Sequence, residues 1–171
     1  MINSGYDQLL QVIAVAAKTP LIREGETVQK LFFIKKGCIR VWFNHQGTDV
    51  TVQFFFEGEA ATSLESFMNN EPSLFTIEAL ESCELAVLQK GNFDQLMADD
   101  LAFKDWFYGT ALQKLLLHGK RLLSLIKDKP AERYRELARQ QPELLQRVPQ
   151  RYIASYLGIT PVSLSRIRNR K

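Results

Sequence analysis

The chain has 171 residues, of which 46% are hydrophobic and 24% are charged, and its formal net charge at pH 7 is +3. This length allows one sizeable core and a small second domain. No run of about 18 apolar residues predicts a membrane span, and no secretory leader pattern is present. The two cysteines are too few for a disulfide framework or a four-cysteine iron–sulfur cluster. We therefore expect a cytoplasmic, reduced protein with Cys38 and Cys83 in its core.

The first half of the chain has the pattern of an all-β unit. Glycines at positions 25, 37, 47 and 58 recur every ten to twelve residues and separate runs of β-branched and aromatic residues. Turn signals at this spacing predict a barrel or jelly roll. The predicted strands are 31–34, 38–43, 49–56, 76–80 and 84–89, with hairpin ends at 35–37 and 44–47. The polar stretch 58–72 is weakly periodic, so it is predicted to be an excursion rather than a strand, and a place where a ligand can bind.

After Gly91 the pattern becomes helical. A short helix is predicted at 93–97 and a long one at 101–126. Spacings of four and three residues alternate along one face of the long helix, which is the pattern of a coiled-coil seam. We predict that this seam joins two copies of the chain. The seam residues are Tyr108, Leu112, Leu115, Gly119, Leu122 and Ile126.

A second apolar stripe on the long helix, Leu116 and Leu123, is predicted to pack on the β-roll. The alternative to a dimer seam is a long helix buried wholly within its own subunit. Pro130 opens another predicted helix, 131–141, which Pro142 ends. The predicted domains are a β-roll at 1–100, a dimerisation helix and linker at 101–128, and a helix-turn-helix domain at 129–171.

Residues 150–171 have the pattern of a DNA-binding helix-turn-helix. Gly158 suits the left-handed turn between the two helices. Thr160 can cap the second helix, and Pro161 suits its first position because no N–H is needed there. Small and apolar residues then hold the two helices together. They are Ile153, Ala154, Leu157, Ile159, Leu164 and Ile167.

The second helix leaves a polar face outward that suits base edges in a major groove. Residues 129–171 carry ten Lys and Arg against three Glu, whereas the remaining residues carry twelve basic against sixteen acidic side chains. The basic residues beside the reading face can therefore contact phosphates. A helical hairpin that only packs on the protein, with a solvated basic tail, is the alternative. The predicted DNA-binding residues are Arg151, Thr160, Val162, Ser163, Ser165, Arg166, Arg168, Asn169 and Arg170.

In this order, the elements resemble those of the cyclic-AMP receptor/FNR family of bacterial transcription regulators. The resemblance is carried by LIREGETVQKLFFIKKGCIRVWF, by the Gly-Glu pair at 58–59, by the ESF at 65–67 and by IASYLGITPVSLSRIR. It implies an α+β fold with an N-terminal β-roll like a cyclic-nucleotide-binding jelly roll, a long dimerisation helix and a C-terminal helix-turn-helix. Implied partners are double-stranded DNA, a second copy of the chain, RNA polymerase and an unidentified small-molecule effector. No cofactor, metal or membrane is expected.

The resemblance also bears on the bases that are read. Arg166 falls where the family keeps an arginine that reads a guanine. Pro161 and Val162 fall where the cyclic-AMP receptor carries an arginine and a glutamate that contact bases. We therefore expect a different target sequence.

The ligand region departs from the family. Cyclic-AMP binders follow the Gly-Glu pair with an Arg-Ser/Thr-Ala step, whose guanidinium pairs with the cyclic phosphate. Here Gly58, Glu59 and Ser73 occupy the corresponding steps, and no Lys or Arg occurs from Val41 to Gln89. Loss of that charge-assisted contact removes about 1.5–3 kcal/mol of binding. We expect no cyclic nucleotide binding, and these three remain the candidate ligand-binding residues.

Enzymatic function is not expected. A cupin-like metal site needs clustered His and carboxylate ligands, but His45 and His118 are far apart in the chain. There is no phosphate-binding Gly loop and no nucleophile elbow, so no catalytic residue is predicted. The remaining alternative to a regulator is a ligand-binding or protein-interaction module with a β-roll and no specific DNA target.

Overall fold

The computed structural model describes residues 4–169. The chain forms two compact units, Met1–Ala98 and Asp99–Lys171. The first is the β-rich part that the glycine spacing predicts. The second contains the helices that follow.

The first unit begins with a short 3-10 helix, Ser4–Leu9, and contains eight strands among the described residues. The two N-terminal strands were not predicted from the sequence, whereas each of the five predicted strands is present with small shifts at its ends. The strands are β1 (Leu10–Val15), β2 (Pro20–Ile22), β3 (Lys30–Lys36), β4 (Ile39–His45), β5 (Thr48–Phe55), β6 (Ala60–Ala61), β7 (Thr76–Ala79) and β8 (Cys83–Gln89).

The strands form two four-stranded antiparallel sheets, ordered β1-β8-β3-β6 and β2-β7-β4-β5. The core of this unit is apolar and takes residues from both sheets, among them Ile39, Ile77 and Leu85, which are buried. Cys38 and Cys83 are buried, so their predicted place in the core is confirmed. Burial raises the pKa of the Cys83 thiol because it disfavours the thiolate.

The hairpin predicted at 44–47 is confirmed. Strands β4 and β5 pair from Ile39 opposite Phe55 to His45 opposite Thr48. Gln46 and Gly47 lie between them with φ of 51° and 81°. Two successive residues with positive φ make a tight turn whose twist matches that of the strands.

The hairpin end predicted at 35–37 is wrong. Strands β3 and β4 flank Gly37 but belong to different sheets, so this turn carries the chain from one sheet to the other. Gly37 has a φ of 107°, and a Cβ added there would lie 2.4 Å from Cys83 Sγ. The glycine is therefore required by its conformation and by the close approach of β8, and not by a hairpin.

The predicted excursion at 58–72 contains two short elements, strand β6 and helix α1 (Leu64–Asn69). Strand β6 pairs with β3 at the edge of the first sheet. Asn70 ends α1 in the left-handed conformation. Phe67 is buried and packs edge-on against Phe93, with ring centroids 4.9 Å apart. The stretch is thus anchored to the rest of the unit by strand β6 and by Phe67.

Six further helices follow in the part of the chain that the structure describes. The predicted short helix is longer than expected, and the long helix has almost the predicted bounds. The helix predicted at 131–141 spans 130–140, and Pro142 follows its end as predicted. Pro142 also opens a short helix that was not predicted. The helices are α2 (Lys90–Asp99), α3 (Leu101–Lys127), α4 (Pro130–Gln140), α5 (Pro142–Arg147), α6 (Gln150–Tyr156) and α7 (Pro161–Asn169).

The ends of α3 and α4 have clear local causes. The Asp100 side chain accepts a hydrogen bond from Phe103 N at 2.9 Å and so caps the start of α3. Pro130 takes the first position of α4, and the Glu132 carboxylate accepts from Lys129 N at 2.8 Å. Among residues 4–169, no helix is long and apolar enough to cross a membrane.

Candidate nucleic-acid interface and effector region

Helices α6 and α7 form a helix-turn-helix around Gly158. This glycine has a φ of 67°, the left-handed conformation that was predicted for it. Its N–H donates to Ser155 O, and the N–H of Ile159 donates to Ala154 O, both at 3.0 Å. These two bonds use carbonyls at the end of α6 and close the turn tightly.

Packing between α6 and α7 depends on a small group of buried side chains. Ile153, Ala154, Leu157 and Leu164 are all buried, whereas Ile167 is half-buried. The small Ala154 lets α7 approach. Burial of Leu164 on α7 fixes which face of that helix is turned outward, so the packing sets the direction of the candidate reading face.

The start of α7 is capped by Thr160. Its hydroxyl oxygen accepts a hydrogen bond from Ser163 N at 3.1 Å and lies 3.0 Å from the Ser163 hydroxyl. Pro161 occupies the first helical position. Thr160 and Ser163, both predicted to be DNA-binding residues, are thus also used to begin the helix.

The other predicted DNA-binding residues lie mainly on the exposed side of α7. Val162 is 60% exposed, and Arg166 is exposed in the last turn of the helix. Arg151 is exposed on α6, where its guanidinium carbon lies 4.6 Å from the ring centroid of Tyr152. Arg170 lies outside the described residues, as does Lys171. The exposed members of the predicted set on α7 are Val162, Ser165, Arg166, Arg168 and Asn169.

Two arginines that were not predicted contact the end of α6. Arg121 of α3 donates from Nη2 to Tyr156 O at 2.9 Å. Arg133 of α4 donates from Nε and Nη2 to Leu157 O, at 3.1 and 2.9 Å. These donors lie 35 and 24 residues away along the chain, so no local sequence signal could reveal them.

The predicted seam of α3 is exposed in the single chain. Leu115 is 66% exposed and Ile126 is 75% exposed. Leu116 and Leu123 are also exposed, at 58% and 60%. At 100° per residue they lie beside the seam and widen the same apolar face. The seam residues with large exposed side chains are Tyr108, Leu112, Leu115, Leu122 and Ile126.

In the effector region, Glu59 and Ser73 take part in the local structure. Glu59 Oε2 accepts a hydrogen bond from Phe56 N at 2.9 Å, which closes the turn at Gly58. The Ser73 hydroxyl donates to Phe75 O at 2.7 Å and accepts from Phe75 N at 3.2 Å. Ser73 is buried. The polar groups that were candidates for ligand binding thus already have partners within the chain.

Arg40, which immediately precedes the stretch without basic residues, is buried on β4 with its charge paired. Its Nη1 lies 3.0 Å from Glu78 Oε1 and its Nη2 lies 3.4 Å from Asp49 Oδ2. Its Nε donates to Thr51 Oγ1 at 3.0 Å. Because two carboxylates already face this guanidinium, it does not provide an open site for a phosphate. Within residues 4–169, no group of three or more His, Cys, Asp or Glu side chains could hold a metal ion.

The fold and these sites define a chain of two parts, a β-roll with a Gly-Glu turn and a helical unit that ends in a helix-turn-helix. Residues 12–100 match the family described as cyclic nucleotide-binding domain. The chain belongs to this family. Among curated proteins, none matches the chain by sequence.

Solved structures share the fold over most of the chain. A CooA variant from Carboxydothermus hydrogenoformans is 18% identical with a TM-score of 0.77, and the match covers 99% of this chain and 79% of that one. FixK2 from Bradyrhizobium japonicum is 15% identical with a TM-score of 0.79, over 94% and 83% of the two chains. CLP from Xanthomonas campestris, a c-di-GMP responsive global regulator, is 17% identical with a TM-score of 0.74, over 95% and 86%.

These likenesses establish the fold. The predicted fold class, a β-roll followed by a long helix and a helix-turn-helix in the manner of cyclic-AMP receptor/FNR regulators, is confirmed.

Proposed function

We propose that this protein is a sequence-specific DNA-binding regulator of transcription that acts as a homodimer. The observation that carries the proposal is the exposed face of α7. Leu164 is buried beneath this helix, whereas Val162, Ser165 and Arg166 point to the opposite side and are exposed. A helix held from one side, with short polar groups and one long fork-shaped donor on the other, fits a major groove.

Readout is assigned to Val162 in the first turn of α7 and to Arg166 in its last turn. Arg166 supplies the paired N–H groups that match the O6 and N7 acceptors of guanine. Val162 offers only an apolar contact, which suits a thymine methyl group. Arg151, Arg168 and Arg170 are assigned to phosphates, which contribute affinity without sequence preference.

Dimerisation through α3 is supported by its exposed apolar face. An isolated chain would leave large leucines exposed over several helical turns, which is unfavourable in water. A two-fold dimer buries this face on the same face of a second copy. Each dimer then presents two α7 helices to DNA. We expect it to read inverted repeats with half-site centres about 34 Å apart, one helical turn.

We further propose that cyclic nucleotides are not the effector of this protein. The span from Val41 to Gln89 has no Lys or Arg, and Arg40 is paired with Glu78 and Asp49. Each phosphate would enter a site without a cation to match its charge, at a cost of several kcal/mol. CLP responds to c-di-GMP, but the same argument applies here because that ligand carries two phosphates.

The salt dependence of binding to duplex DNA tests this function against a β-roll module that has no DNA target. Each phosphate contact changes log Kobs by about −0.9 per unit of log salt concentration. We expect a slope steeper than about −3 for a dimer that uses at least two arginines in each subunit. A slope near zero, or no binding to duplex at low salt, would favour the module without a DNA target.

A further inference from the structure

The C-terminal end of α6 is held by two arginines from other helices. The last carbonyls of a helix have no partner within the helix and need another donor. Tyr156 O accepts from Arg121 Nη2, and Leu157 O accepts from Arg133 Nε and Nη2. These carbonyls directly precede the Gly158 turn. The donors therefore act at the point where the chain turns toward the recognition helix α7.

Arg121 is fixed by a second contact besides its hydrogen bond. Its guanidinium carbon lies 3.9 Å from the ring centroid of Tyr156, the distance of a stacked cation–π pair. Burial lowers the pKa of Arg121 because it disfavours the charged form. A planar group that stacks and donates at once has little freedom to move. Arg121 thus connects α3 to the end of α6 in a single defined geometry.

Arg133 extends this connection to the end of α3. Its Nη1 donates to Asp128 O at 2.7 Å, and Asp128 is the C-terminal cap of α3. The Asp128 carboxylate in turn accepts from the Ser124 hydroxyl at 2.6 Å. One guanidinium therefore joins the C-cap residue of α3, Asp128, to Leu157. Leu125 lies close as well, since a Cβ added to Gly158 would be 3.6 Å from its Cδ2.

We propose that Arg121 and Arg133 are positioning residues that hold the helix-turn-helix at a fixed angle to α3. The proposal rests on the function proposed above, because α3 carries the candidate dimer face and α7 the candidate reading face. Two recognition helices can meet half-sites at a set spacing only if each is held rigidly on the dimer axis. The arginines supply this rigidity without touching DNA.

The test compares Arg121→Met with Lys120→Met. Methionine keeps the apolar stem of Arg121 but removes the donor and the planar cation, and Lys120 is an exposed cation on the same helix. The first readout is amide hydrogen exchange at Gly158 and Ile159 without DNA. We expect Arg121→Met to speed exchange there at least fivefold and Lys120→Met to leave it unchanged. Arg121→Lys, which keeps one donor but not the stacking plane, is expected to fall between them.

The second readout is affinity for a selected duplex and for a random one, at a temperature where every variant is folded. We expect Arg121→Met to lower specific affinity about tenfold and random affinity less than twofold, with an unchanged salt slope. Equal losses on both duplexes with a smaller slope would make Arg121 a phosphate contact and overturn the proposal. Unchanged exchange with unchanged specificity would also overturn it. Faster exchange in a protein that binds no duplex would support the anchor and refute the proposed function alone.

Discussion

Replacement of Arg166 by alanine isolates base reading from folding. Arg166 is exposed and makes no hydrogen bond or ion pair with the other residues in the described range 4–169. Alanine is a good helix former, so we expect the melting temperature to stay unchanged. A bidentate contact to guanine contributes about 1–3 kcal/mol of discrimination, which corresponds to about 5- to 150-fold in affinity for each half-site.

The assay is a binding titration on a selected duplex, on the same duplex with each base pair changed in turn, and on random DNA. Arg166→Ala should lose preference at one base pair of each half-site and retain it at the others. Arg168→Ala is the matched control, because Arg168 is an exposed arginine on the same helix that is assigned to phosphate. It should weaken all duplexes alike and reduce the salt slope by about one per subunit. Equal losses on specific and random DNA for Arg166→Ala would refute the base-reading role.

Three further changes test the dimer, the effector region and the turn. Leu115→Glu should give monomers by sedimentation and weak DNA binding, because it would place a desolvated charge in the seam. The control Leu117→Glu lies away from the seam and should leave a dimer. A dimer of unchanged mass after Leu115→Glu would place the interface elsewhere. Millimolar cyclic AMP, cyclic GMP or c-di-GMP should leave the melting temperature unchanged. A ligand that binds the native state would raise it, since at 100 times its Kd it stabilises that state by about 2.7 kcal/mol. A melting temperature that rises with nucleotide concentration would therefore contradict the effector argument. Gly158→Ala should lower the free energy of unfolding by about 1–2 kcal/mol through its left-handed φ alone, because its Cβ would meet only ordinary contacts. Gly37→Ala should lower it more, because its Cβ would lie 2.4 Å from Cys83 Sγ. Equal melting temperatures for these two variants would contradict this reasoning.

The helix-turn-helix could be predicted because its determinants are local. The turn at Gly158, the cap at Thr160 and the proline at the start of α7 all act within a few residues of their own positions. The burial of Leu164 follows from helical periodicity. Each of these features is written in a short window of sequence, and each is present in the structure.

The sheet arrangement was harder to predict because it depends on distant pairs. A glycine between two strand patterns at position 37 predicted a hairpin, but the chain crosses there from one sheet to the other. The reason for that glycine is the approach of Cys83, which is 46 residues away. Likewise, periodicity placed Leu116 and Leu123 on an apolar face but could not tell which neighbour covers it. Nor could it show that Arg121 and Arg133 reach the end of α6.

Sequence-specific DNA binding by a dimer is best examined by selecting bound sequences from a random duplex library with the unaltered chain. We predict enrichment of an inverted repeat whose half-site centres are about 34 Å apart, with a guanine in each half-site that Arg166→Ala no longer selects. Failure to enrich any sequence at a salt concentration where the protein binds DNA would contradict it, since a protein that only attracts phosphates retains all duplexes equally.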